Sequence, residues 1–301
     1  MDLWVTKRAS IDDAWGEPVH LGSDLNTSNF EGTPCISADS LSLYFSSNGL
    51  PGGSGHCDLW KASRATRSEP WGPPENLGPI VNTSYNEANP YISADGLSLY
   101  FADVVAPWDT PTRPGGYGGG DIWVSELTTT GRQGTEPVWG PPVNLGATIN
   151  SSACDAAPCI SSDGLMLFFH SERIGGHGGS DIWFTRHKTS DEPWEEPVNL
   201  GPPVNTSLDD CSPDISADGK TLYFFSGGNA RLRSGNFDLY QAPILPIVDL
   251  NAEDMCIIVD NWGTDEPLCD IGPMPWGDGV VDIQDLIVLA EHLFEEVLPV
   301  E

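Results

Sequence analysis

Apolar residues along this chain fall in short runs, each bounded by glycine, proline, serine or aspartate. Four kinds of run recur in a fixed order: P-x-I-S, L-x-[YF]-F, D-[IL]-[WY] and P-[VE]-[NH]-L-G. Runs of about five residues, rich in β-branched and aromatic side chains and punctuated by turn formers, predict β-strands. From Ile244 the pattern changes. Ile283, Leu286, Ile287, Ala290, Leu293, Phe294 and Val297 mark one helical face, with Asp282 as its N-cap. The chain therefore divides near Pro243–Pro246, with residues 1–243 strand-rich and almost free of helix and residues 250–298 mostly helical.

The strands belong to a repeat. The phrase ISADGLSLYF at Ile92–Phe101 returns as ISADSLSLYF, ISSDGLMLFF and ISADGKTLYF. Aligned on Trp15, Trp71, Trp139 and Trp194, the copies place an asparagine at Asn26, Asn82, Asn150 and Asn205. A proline follows at Pro34, Pro90, Pro158 and Pro213, then an aspartate at Asp39, Asp95, Asp163 and Asp218, all without insertion. Spacing then loosens through GGSGHC, RPGGYGGG and IGGHGGS. It locks again on Asp2, Asp58, Asp121, Asp181 and Asp238, which lie 56, 63, 60 and 57 residues apart. S-x-D-G supplies the turn between the first two strands. Ser40 replaces its glycine in the first copy, so that turn should be the most strained.

Four short strands per period make one blade of a β-propeller. The expected fold is an all-β propeller of four full four-stranded blades plus an N-terminal half blade, Asp2–Gly22. That half blade either completes the last copy, closing the ring, or belongs to a blade whose remainder lies upstream. The second reading is favoured, because closure would leave the Asp2–Thr6 strand redundant. These residues resemble the TolB-type (WD-repeat-like) β-propeller family over about Asp2–Pro243, with alanine or serine where the family often has proline before the aspartate. The likeness to a sialidase Asp-box is superficial, since the glycine comes one place early and the tryptophan is absent.

Glycine (33 residues) and proline (26) suit many turns, and a net charge of −31 repels phosphate backbones and anionic lipid. Nucleic acid and membrane are therefore not expected as partners, and no apolar run reaches membrane-spanning length. The seven cysteines form no C-x-x-C pair, which argues against a disulfide framework or a zinc knuckle. The opening MDLWVTKRAS has no signal-peptide core.

In the tail, D-G-x-V-D-x-x-D-L at Asp278–Leu286 resembles the calcium loop of type I dockerin modules, over about Asp249–Leu298. The tail, residues 244–301, is thus expected to be a small α-helical, EF-hand-like domain. The resemblance implies calcium held by Asp278, the Val280 carbonyl, Asp282 and Asp285, with Asp270 standing in where Met274 and Trp276 occupy ligand positions. The first loop, opening at Asp249 and Asn251, is too short to hold an ion. The resemblance further implies an extracellular or cell-surface setting and docking onto a cohesin-like or other scaffold protein.

Eight of the 11 tryptophans are repeat positions and read as packing. The N-x-S sequons at the four repeat asparagines read as turn residues. Glu31, Glu87, Asp155 and Asp210 stand three residues before each proline, at the start of the innermost strand. They either accept local backbone hydrogen bonds or ring a site at the channel mouth. They should share one face with the glycine-rich loops, where the longest insertion, Asp103–Gly120, brings Trp108, Asp109, Arg113 and Tyr117 as a candidate surface for a polysaccharide or peptide. No G-x-S-x-G is present, and no carboxylate pair breaks the repeat symmetry as glycoside hydrolysis would need. Two functions remain: a non-catalytic recognition propeller on a docking module, which is favoured, and a carbohydrate-active hydrolase.

Overall fold

The computed structural model describes residues 1–10, 13–104, 112–128, 137–229 and 234–244, and these form an all-β propeller of four blades without a helix. The N-terminal segment gives β1 (Trp4–Val5) and β2 (Val19–His20), a separate two-stranded sheet. The first blade is β3 (Glu31–Ile36), β4 (Ser42–Ser47), β5 (Asp58–Ser63) and β6 (Glu75–Asn76), paired in sequence order. The second is β7 (Glu87–Ile92), β8 (Ser98–Val104) and β9 (Gly120–Thr128), whose outer edge takes both β10 (Val138–Trp139) and β11 (Val143–Asn144). The third is β12 (Asp155–Ile160), β13 (Met166–Ser171), β14 (Asp181–Arg186) and β15 (Val198–Asn199). The fourth is β16 (Asp210–Ile215), β17 (Thr221–Asn229) and β18 (Ser234–Pro243).

One detail differs from the sequence expectation: among the described residues the fourth blade has three strands, not four. The closing arrangement, the less favoured of the two readings, is not formed: β1 and β2 make a sheet of their own and stand in a fifth position. They pack on the first blade through Leu3 and Leu25, and reach the fourth through Arg8, whose Nη2 donates to the Tyr223 hydroxyl at 3.0 Å.

Local chemistry explains each blade. In S-x-D-G the aspartate accepts both the serine hydroxyl and a backbone N–H two residues on, as Asp95 does from Ser93 (2.6 Å) and Leu97 (2.9 Å). This closes the β3–β4, β7–β8, β12–β13 and β16–β17 hairpins. Ser40 takes the left-handed φ of 63° that glycine takes in the other copies, the strained turn the sequence implies. Each first strand carries a bulge just before its proline, at Thr33, Asn89, Ala157 and Ser212, all with φ between 50° and 54°.

The core lies between blades. Phe45, Phe101 and Phe169 are fully buried on second strands, directly across from Trp60, Trp123 and Trp183 on third strands. Trp71, Trp139 and Trp194 pack against the interblade clusters. Trp4 and Trp15 depart from the expectation that the repeat tryptophans are packed: both are exposed, because the half blade has no inner strands to cover them.

Candidate functional site

The repeat asparagines are interblade clamps. Each side-chain amide pairs with both backbone groups of the apolar residue in the preceding D-[IL]-W strand. Asn150, for example, accepts from Ile122 N–H at 2.8 Å and donates to Ile122 C=O at 3.0 Å. Asn26, Asn82 and Asn205 do the same to Leu3, Leu59 and Ile182. All four are buried, so their amides are committed to the fold.

The four repeat acids are also buried, each wrapped by the residue just after the clamp. Glu31 accepts the Thr27 N–H and hydroxyl, both at 2.7 Å, and the Ser47 hydroxyl at 2.9 Å. Glu87 accepts the same two groups of Thr83, at 3.0 and 2.5 Å, and Asp155 those of Ser151. Asp210 accepts from Thr206 through Oδ2, while its buried Oδ1 has no hydrogen-bond partner among the described residues. Burial pushes the Glu87 carboxyl up, against the lowering pull of Thr83 and Arg113.

Two arginines complete this layer. Arg113 Nη2 lies 2.8 Å from Glu87 Oε1 and 2.7 Å from the Val81 carbonyl, over the faces of Phe101 and Trp123. Arg173 repeats the arrangement in the third blade, with Asp155 at 2.6 Å, the Ile149 carbonyl, and the rings of Phe169 and Trp183. Arg113 from the glycine-rich loop and Glu87 at the start of the first strand are thus brought together, with the guanidinium turned inward. The Tyr117 ring points to solvent, while its N–H donates to Asp121 Oδ2 at 2.6 Å. Trp108 and Asp109 lie outside the described residues, as do Asp270, Asp278, Val280, Asp282 and Asp285.

The glycine-rich loops are wound around the D-[IL]-W aspartate. Asp58, Asp121 and Asp181 each accept backbone N–H groups from the loop before them. A Cβ at Gly55 would run into the Tyr85 carbonyl, and one at Gly178 into that of Leu208, because these loops press against the next blade. Glycine here serves close packing.

The four first strands meet around an axial cavity of about 260 Å³. The residue after the repeat proline lines it in three copies, as Cys35, Tyr91 and Asp214, while Cys159 in the remaining copy is fully buried. This is the x of P-x-I-S, where the copies differ in chemistry, and sequence reasoning passed over it. The signal was present, since it is the variable place inside an otherwise fixed phrase.

The contacts of these four residues cross from blade to blade. Cys159 Sγ lies 3.8 Å from Asp214 Oδ1 and accepts the Ile215 N–H at 3.2 Å, and Cys35 Sγ accepts the Ile92 N–H at 3.5 Å. Asp214 meets solvent inside the cavity yet is surrounded by protein, and that burial pushes its carboxyl up. Burial likewise raises the Cys35 thiol to about 12, and the Cys159 thiol and Tyr91 phenol well above their usual ranges. The thiols are therefore protonated hydrogen-bonding groups, not nucleophiles. No cluster of three or more His, Cys, Asp or Glu suited to a metal occurs among the described residues. The arrangement can donate to and accept from a small polar group, and offers no activated nucleophile.

No family model matches the chain, and no curated protein matches it. Among solved structures it is similar to TolB from Acinetobacter baumannii (15% identity, 76% of this chain, 46% of that chain, TM-score 0.45). It is also similar to a thermostable family-43 glycoside hydrolase (14% identity, 81% and 82%, TM-score 0.51). A third likeness is to α-L-arabinofuranosidase from Lactobacillus brevis (12% identity, 77% and 79%, TM-score 0.47). The chain spans less than half the length of that TolB. The glycoside-hydrolase likeness supports the propeller fold alone. No helix among the described residues is long and apolar enough to cross a membrane.

Proposed function

We propose that the propeller is a non-catalytic recognition module that takes a polar ligand, a polysaccharide or peptide, with one group entering the axial cavity. The observation that carries this reading is the cavity wall. Its variable positions hold one carboxylate, Asp214, beside a phenol, Tyr91, and one protonated thiol, Cys35. Glycoside hydrolysis uses two carboxyl groups about 5–9.5 Å apart across the scissile bond. The repeat acids offer no second one, being enclosed by their own turns and, at Glu87 and Asp155, by arginine.

The test is a panel of soluble polysaccharides and peptides, scored for retention and for released reducing sugar. Retention without release is expected, weakened by Asp214→Asn and Tyr91→Phe. Release of reducing sugar that Asp214→Asn abolishes would establish the hydrolase instead.

The tail extends the proposal. Residues 244–301 would dock an extracellular protein onto a cohesin-like or other scaffold, with calcium at Asp278, Val280, Asp282, Asp285 and Asp270. The support is the dockerin-like phrase of the sequence and its one intact loop. Calorimetry on the full chain should find about one calcium site, lost in Asp282→Ala. Two equal sites, or none, would overturn it.

A further inference from the structure

The D-[IL]-[WY] strand is the most regular element of the repeat, yet its environment is complete in only three of five copies. Leu59, Ile122 and Ile182 are each 0% exposed and Leu3 is 2% exposed, whereas Leu239 at the same place is 86% exposed. Trp60, Trp123 and Trp183 are 4%, 5% and 8% exposed, whereas Trp4 is 56% exposed.

The complete copies show what covers each residue. Leu59 is closed by Val81, Ile92 and Leu99 of the following blade, and Ile182 by Val204, Ile215 and Leu222. Trp60 is closed by Phe45 on the second strand of its own blade. Leu239 thus lacks the inner hairpin of a following blade, and Trp4 lacks the inner hairpin of its own.

These are one vacancy. The half blade sits beside the fourth blade just as complete blades sit beside one another. Trp15 meets Tyr223 edge-on at 6.5 Å, while Trp139 and Trp194 join the clusters that hold Tyr44 and Tyr100. The fifth position therefore has its outer two strands, flanking blades on both sides, and an open inner half. Among the described residues β1 is paired on one edge only, by β2. Leu239 and Tyr223 also line the axial cavity.

We propose that the fifth position is a docking site for a single β-hairpin of the repeat's own chemistry. Its first strand would carry [ED]-x-x-P-x-I-S, setting isoleucine over Leu239, and its second L-x-[YF]-F, setting phenylalanine across from Trp4. The apolar faces, the free strand edge and the span between flanking blades all match that occupant. It pairs by strand addition to β1 and completes the wall of the axial cavity.

The experiment supplies the hairpin in cis. A copy of residues 147–180 is placed ahead of Asp2 in the full chain, so that its loop leads into Asp2 as the original leads into Asp181. Docking should raise Tm by roughly 5 °C or more. It should also slow hydrogen exchange at Leu3–Val5 and at Leu239–Tyr240. Leu239→Asp should cancel most of that gain in the fusion while moving Tm by no more than about 1 °C in the parent, where the side chain is exposed. An unchanged Tm with unprotected β1 and β18 would overturn the proposal. So would protection of both strands already present in the parent, with dimerisation assigning the site to a second copy and loss of protection on deleting residues 245–301 assigning it to the tail.

Discussion

The side-chain amide of Asn82 replaces a strand. It accepts the Leu59 N–H at 2.8 Å and donates to the Leu59 carbonyl at 2.9 Å, across 23 residues of sequence. Asn82 Nδ2 is itself oriented by Asn76 Oδ1, at 2.9 Å. Removing the amide strands the buried Leu59 N–H, while the Leu59 carbonyl keeps the Leu77 N–H at 3.2 Å. Asn82→Ala should destabilise the protein by about 1–3 kcal/mol, read as a lower urea midpoint with unchanged slope. Asn82→Asp keeps the acceptor but sets a carboxylate against the Leu59 carbonyl, and should be no better tolerated.

A histidine contributes to the acid side of the stability curve. His170 Nδ1 accepts the Ser212 N–H at 3.3 Å, tying the third blade to the strained bulge of the fourth. Burial lowers its pKa to about 4, against the raising influence of Asp155 and Asp209. The folded ring is neutral while the unfolded one takes a proton near pH 6.5. This contribution is therefore present above about pH 6.5 and lost as pH falls toward 4, roughly 3 kcal/mol in all. Glu87, Asp103 and Asp214, all raised by burial, act with the opposite sign, favouring the fold at low pH. The decisive measurement is thus a difference. His170→Asn keeps an acceptor but cannot titrate, and should lose less stability than the parent between pH 6.5 and 4.

Ser40 offers a stabilising change. Its φ of 63° costs an L-residue about 1–2 kcal/mol, part of which the greater freedom of unfolded glycine offsets. Ser40→Gly should stabilise by about 0.5–1 kcal/mol. Gly96→Ala at the equivalent turn, φ 75°, should destabilise by about 1–2 kcal/mol. Opposite thermal shifts in the two variants, the larger at Gly96→Ala, would bear this out, and destabilisation by Ser40→Gly would refute it.

The blade grammar was readable because most of its strands, turns and clamps keep a fixed offset, and the offset is itself the physical constraint. Asn82 must reach Leu59 and Asn205 must reach Ile182, each 23 residues back, and Asp155 must reach Ser151, four residues back. The arginine layer was only half legible. Arg113 and Arg173 both stand eight residues before the D-[IL]-W aspartate, Asp121 and Asp181, but their acid partners Glu87 and Asp155 lie 26 and 18 residues upstream, so no constant offset announces the pairing. The axial wall was hidden by its brevity, one variable residue in P-x-I-S, whose direction depends on the bulge before it. The half blade's place turned on Arg8 meeting Tyr223, 215 residues away, which no local pattern encodes.

The four repeat acids look equivalent in sequence and should not behave so. Asp155→Asn removes the charge that Arg173 faces at 2.6 Å, leaving a guanidinium that is 13% exposed. Glu87→Gln does the same to Arg113, 10% exposed. Each should destabilise by about 3–5 kcal/mol, the penalty for an uncompensated buried charge. Glu31→Gln strands no arginine but weakens acceptance from Thr27 and Ser47, and should cost about 1–2 kcal/mol. Asp210 already has one buried oxygen without a partner among the described residues. In Asp210→Asn the amide oxygen can take over the two Thr206 bonds while the charge disappears, so the change should fall within about 1 kcal/mol of neutral. Urea midpoints for the four variants at one pH test the order. A loss at Asp210→Asn equal to that at Asp155→Asn would mean that the repeat acids act through a common charge effect and not through their individual partners.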